Sequence, residues 1–158
     1  MITRLETIAK DLAEKLEMSN SEQQRKASIA ACELALLATS LDIPVISKSF
    51  EQLRQNERIS QEQTEELNGL VEQFDERYFD IQDEIDEIDE NVDLCKTEEN
   101  VDLQTERTRF FRQARAVSAL SFAGGEDALV AAMESIYEAS MVFDDNSNFF
   151  AAVKGVLL

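Results

Sequence analysis

Apolar residues recur along the chain at helical spacing, and the longest such pattern runs from Leu67 to Cys95. Leu67, Val71, Phe74, Tyr78, Ile81, Ile85, Ile88, Val92 and Cys95 are separated by steps that alternate four and three. Residues at that spacing share one helix face, so they mark the seam of a helix packed lengthwise against other helices, as in a coiled coil. At about 1.5 Å per residue the seam is about 43 Å long, beyond the average helix of a small domain. Nearly everything between the seam positions is acidic: Glu72, Asp75, Glu76, Asp80, Asp83, Glu84, Asp86, Glu87, Asp89, Glu90 and Asp93. The pattern predicts a long, acid-coated helix. Ser60 and Gln63 supply its N-cap, and Asn68-Gly69 is a weak point near its start.

The N-terminal part reads as three shorter helices. Thr3 and Glu6 form a capping box, after which Leu5, Ile8, Leu12 and Leu16 line one face of a first helix ending near Met18-Ser19-Asn20. Ser21 opens a second helix that is apolar around most of its girth, from Ala27 through Leu34 and Leu37 to Leu41. Such a helix is buried by neighbours on several sides, which predicts the centre of a bundle. Lys26, Glu33 and Ser40 are seven apart and form a narrow polar stripe, so Glu33 belongs on a solvated edge. Pro44 disfavours a helical residue before it and ends this helix. Phe50 and Leu53 then predict a third helix over about residues 49 to 58.

Past the long helix, Glu90-Asn91-Val92-Asp93-Leu94 is repeated nine residues on as Glu99-Asn100-Val101-Asp102-Leu103. One continuous helix would put the two copies on opposite faces. The seam also fails after Cys95, while Lys96 suits a helix C-terminus and Thr97 to Glu99 suit a new start. A tight reversal near 95 to 98 is expected, giving a hairpin of residues 61–95 and 98–122, with a single unbroken helix through to residue 122 as the alternative. Its second arm carries Leu103, Phe110, Ala114 and Val117 on one face, together with Arg107, Arg109, Arg112 and Arg115. A reversal near 97 aligns those arginines with residues near 87, 85, 82 and 79, so guanidiniums would fork onto the acidic helix. Gly124-Gly125 ends this arm in the position glycine favours after a helix. Glu126 and Asp127 open another helix with Leu129, Met133, Ile136, Tyr137 and Phe143 inside. The apolar end, Phe149 to Leu158, is expected to dock on the bundle.

Composition narrows the reading to one all-α domain spanning residues 1–158. The chain has one proline and four glycines, too few for the turns of a β-sandwich or barrel. The fold predicted is an antiparallel bundle of about five to seven helices with the long hairpin as its largest feature. Cys32 and Cys95 sit inside apolar patterns, which suits free thiols in a reducing compartment. No run approaches a membrane span, and the charged N-terminus lacks the apolar core of a secretory leader, so the cytoplasm is the expected location.

Charge and missing residue types narrow the function. With 33 acids against 15 bases the net charge is −18, which disfavours direct binding to nucleic acid or to anionic membranes and favours a basic partner. Histidine is absent, which removes Ser-His-Asp and Cys-His catalysis and histidine zinc sites. No Gly-rich phosphate loop or calcium loop is present, and no cofactor is implied. Glu84, Glu87, Glu99 and Asp102 spell a Glu-x-x-Glu pair followed by a Glu-x-x-Asp pair. In that spelling the chain resembles the all-α nucleoside triphosphate pyrophosphatases, and the resemblance implies a Mg²⁺-dependent hydrolase as the alternative function.

Glu87 falls on the outer side of the long helix, away from the seam, and this favours a non-catalytic protein. The function expected is an acidic interaction module of the inhibitor, chaperone, adaptor or DNA-mimic kind. Its candidate partner-binding residues are Glu76, Asp80, Asp83, Glu87 and Glu90, and its partner a basic protein. A structural helical subunit is a further alternative. The seam is expected to be filled from within the chain, so a homodimer would use another surface, such as the C-terminal tail.

Overall fold

The computed structural model describes residues 2–90 and 97–157, apart from the side chains of residues 89–90 and 97–100. Among the described residues there are eight helices and no strand. They are α1 (Arg4–Ile8), α2 (Lys10–Glu17), α3 (Ser21–Thr39), α4 (Pro44–Arg54), α5 (Gln61–Glu90), α6 (Thr97–Ala123), α7 (Ala128–Ser140) and α8 (Ser147–Val156). None is long and apolar enough to cross a membrane.

Helix starts follow local chemistry. Thr3 accepts from the Glu6 N–H, and Asn20 and Gln23 close a reciprocal capping box ahead of α3. Ser60 and Gln63 do the same for α5, with bonds of 3.1 and 3.0 Å. Asp127 caps α7 through the Val130 N–H. Pro44 is the first residue of α4 instead of lying in a loop ahead of it. Its fixed φ and missing N–H suit that place, and so the helix spans 44–54 where 49–58 was expected.

The expected first helix is two, which takes the total past seven. Ala9 departs from helical geometry at φ −148° and ψ 64°, although its N–H still reaches Leu5 O and its carbonyl still accepts from Ala13. The bend sends Leu5 into the core with Leu12 and Leu16 but leaves Ile8 exposed. A straight helix would have kept Ile8 on the same face.

The core lies around α3, which packs against α4, α6, α7 and α8. Ala27, Ala31, Cys32 and Ala35 are its contact surface, small enough for close approach by Val117 and Leu120 of α6 and by Met133 and Ile136 of α7. Full burial of each such large aliphatic side chain contributes about 1.5–3 kcal/mol. α3 is not covered on all sides: Leu37 near its end is 70% exposed. The tail docks as α8, burying Phe149, Val153 and Leu157 on α3 and α2.

α5 and α6 form the antiparallel hairpin. Phe74 meets Phe110, Tyr78 meets Phe111, and Ser121 donates to Asn68. α5 runs through Asn68-Gly69 without interruption. The reversal expected near 95 to 98 falls on residues that, like Val92 and Cys95 of the seam, lie largely outside the described ones. Leu67, Leu70, Val71 and Phe74 belong to the main core, whereas Tyr78, Ile81 and Ile85 do not. Beyond Phe74 the hairpin is thus a two-helix arm, in which Ile81 and Ile85 are buried between α5 and α6.

Neither glycine after α6 has the positive φ of a left-handed cap, contrary to the C′ expectation. Their N–H groups instead close short turns to Ser121 O and Phe122 O. Gly124 is needed for space, because a Cβ there would come within 2.6 Å of Ile59 Cδ1.

Candidate functional site

The arm concentrates the chain's charge. Residues 75–111 hold fourteen acids and four bases, so a net −10 of the total −18 sits on less than a quarter of the chain. The seam geometry dictates where the acids go. With Tyr78, Ile81 and Ile85 turned toward α6, positions 76, 80, 83 and 87 fall on the opposite side of the helix. Glu76, Asp80, Asp83 and Glu87 are all exposed there, and the side chain of Glu90 lies outside the described residues. Among the described residues Glu76, Asp80 and Asp83 form no ion pair. At about 1.5 Å per residue, positions 76 to 87 space their carboxylates along about 17 Å of a rigid rod.

Among the described residues the arginines of α6 form no ion pair with Glu76, Asp80 or Asp83. Arg107 donates to Gln82 and Arg115 pairs with Asp75, about one helical turn away from the register expected for the hairpin. Arg112 turns off the arm to Asp144 at 2.9 Å, and Arg109 pairs with Glu106 on its own helix at 3.5 Å. Arg115 forks onto a carboxylate of α5, that of Asp75.

Arg115 also belongs to a second charged cluster at the root of the arm. Its Nη1 lies 3.1 and 3.3 Å from the two oxygens of Glu138, a residue that is 4% exposed. Ser118 donates to the same carboxylate at 3.2 Å. From the other side Arg4 bonds Glu134, approaches Glu138 at 3.5 Å, and lies 4.3 Å from the centre of the Tyr137 ring. Partial burial works against the charge of Arg4, but the bond to Glu134 and the nearby Glu134 and Glu138 outweigh it and raise its pKa. The cluster ties α1, α5, α6 and α7 together. Its chemistry is structural: the carboxylates are occupied by guanidiniums, which leaves few lone pairs free for a metal ion.

The signal for Glu138 was present in the sequence. Glu134 and Glu138 are the only charged residues of α7, one turn apart, and the helix contains no base to pair with them.

The four residues that carry the pyrophosphatase spelling are not assembled among the described side chains. Glu84, Glu87 and Asp102 are exposed, and Glu99 lies outside the described side chains. Among the described residues no three acidic, cysteine or histidine side chains converge as metal ligands would. The Cys32 thiol is fully buried, and burial pushes its pKa up to about 12, which makes it a poor nucleophile.

Comparison of the chain with protein-family models, curated proteins and solved structures finds no match.

Proposed function

We propose that the protein is a non-catalytic interaction module whose α5 arm presents a row of carboxylates to a basic protein. The observation that carries this reading is the exposed, unpaired run of Glu76, Asp80 and Asp83 on a two-helix arm that holds more than half of the net charge. A rod of fixed carboxylates outside the core can steer a cationic partner and set its register without disturbing the bundle.

The test is a variant with Glu76→Gln, Asp80→Asn and Asp83→Asn, compared with wild type for capture of basic proteins from native lysate at low and high salt. Selective loss of the salt-sensitive partner in the variant is the expected result. A partner that ignores both the salt and the variant would remove the arm from consideration.

A further inference from the structure

We propose that the outer face of α6, where it runs past the end of α3, binds a small phosphate-bearing molecule. The site is a groove of about 540 Å³, a size ordinary for small-ligand sites. Thr105, Thr108, Arg109 and Arg112 line one side, and Ala38 and Thr39 at the end of α3 line the other.

Helical phase explains how the groove arises. Val101, Thr105, Thr108 and Arg112 recur every three or four residues on the side of α6 opposite Leu103, Phe110 and Ala114. That second set faces α5, so the first set faces away from the hairpin. Where α3 stops at Thr39, this face of α6 loses its cover.

Three arginines and no carboxylate line the groove, on a chain with more than twice as many acids as bases. Arg107 turns its guanidinium back to Gln82 and the Tyr78 ring, which leaves Arg109 and Arg112 to meet a ligand. Arg109 lies over the Phe110 ring at 4.7 Å, which leaves its guanidinium edge to bond a ligand, and the carboxylates that now pair with the two arginines are weakly held. Asp144 is 93% exposed, and Glu106 reaches Arg109 only at 3.5 Å. A planar guanidinium matches the oxygens of a phosphate through two parallel bonds, so a phosphate can displace either carboxylate. The overall negative field does not forbid this, because charges farther than about 8 Å are screened at physiological ionic strength.

Ribose 5-phosphate, inorganic phosphate and a short oligoglutamate peptide are suitable probes, titrated calorimetrically into the full chain at low salt. Ribose 5-phosphate should bind more tightly than oligoglutamate. Arg109→Gln with Arg112→Gln should weaken it at least about tenfold, whereas Lys10→Gln with Lys26→Gln should not. Circular dichroism and urea midpoints confirm that each variant is folded. Absence of binding to wild type, or binding unchanged in the arginine variant, would overturn the proposal. Binding of oligoglutamate in preference to ribose 5-phosphate would overturn it in favour of an acidic protein segment.

Discussion

Arg115 and Glu138 form the most buried ion pair among the described residues, with side chains 19% and 6% exposed and Nη1 within 3.3 Å of both carboxylate oxygens. The other nitrogen of the same fork, Nη2, holds both oxygens of Asp75 at 3.1 and 3.2 Å. One guanidinium therefore links the arm, through α5, to α7 in the bundle. Removing Glu138 strips Arg115, Arg4 and Ser118 of a shared buried partner while Asp75 still holds Arg115, and losing one member of a buried pair costs up to about 3–5 kcal/mol.

Glu138→Ala is accordingly expected to lower the free energy of unfolding by several kcal/mol, as read from urea denaturation. Arg112→Glu should cost about 1 kcal/mol or less, because its partner Asp144 is almost fully exposed. Similar shifts for the two variants would contradict the distinction between the buried and surface pairs. Because Arg115 serves two carboxylates, Asp75→Asn and Glu138→Gln should combine non-additively in a double-mutant cycle.

The pattern of helices was legible in the sequence because burial imposes it. The seam from Leu67 to Ile88 faces α6, and the caps at Thr3, Ser60 and Asp127 stand where their side chains could satisfy free N–H groups. The break at Ala9 was not legible, since Leu5, Ile8, Leu12 and Leu16 keep a continuous helical period and only the backbone angles reveal the bend. The arginine register was also hidden. It depends on the number of residues spent in the reversal, and a difference of a few residues moves every cross-arm pair by a turn. The cluster around Glu138 needed tertiary structure, as its partners come from positions 4, 75, 115 and 118.

Two glycines of the same hairpin should respond oppositely to alanine. Gly69 lies within α5 at negative φ, and a Cβ there would meet nothing within 4 Å. Gly69→Ala should raise stability by about 0.5–1 kcal/mol by removing backbone freedom from the unfolded chain. Gly124→Ala should cost about 1–3 kcal/mol, since its Cβ would overlap Ile59 Cδ1. Ile59→Val removes that methyl group and should recover part of the loss. Equal destabilisation by Gly124→Ala in both backgrounds would show that Ile59 is not the obstacle.

Cys32 predicts a pH dependence at the alkaline end. Burial raises its pKa from 9.0 to about 12, so above pH 9 the unfolded chain releases the thiol proton while the folded chain retains it. The unfolded state then binds fewer protons, and stability falls with rising pH by up to about 1.4 kcal/mol per unit until the folded thiol ionises. Below pH 9 this contribution is fully present. Unfolding free energies of wild type and Cys32→Ala, measured from pH 8 to 11, should diverge in slope by that amount. Parallel slopes would refute the assignment. In a Cys95→Ser background, Cys32 should react with a thiol reagent only as fast as the protein opens.

The arm makes the last prediction, which concerns rates. If its carboxylates steer a basic partner, they act during the approach, before short-range contacts form. Neutralising Glu76, Asp80 and Asp83 should then lower the association rate more than it raises the dissociation rate. Added salt should slow association to wild type steeply, because the field of exposed charges fades within about 8 Å at physiological ionic strength. Helix content and the urea midpoint should be unchanged, since the three side chains are exposed and take no part in the ion pairs that hold the bundle. Stopped-flow or surface-binding kinetics on a captured basic protein can separate the two rates. A loss confined to the dissociation rate would mean that these carboxylates make close contacts without steering. Equal rates for wild type and variant would reduce the row to a solvated surface and move the search for the partner to other exposed residues.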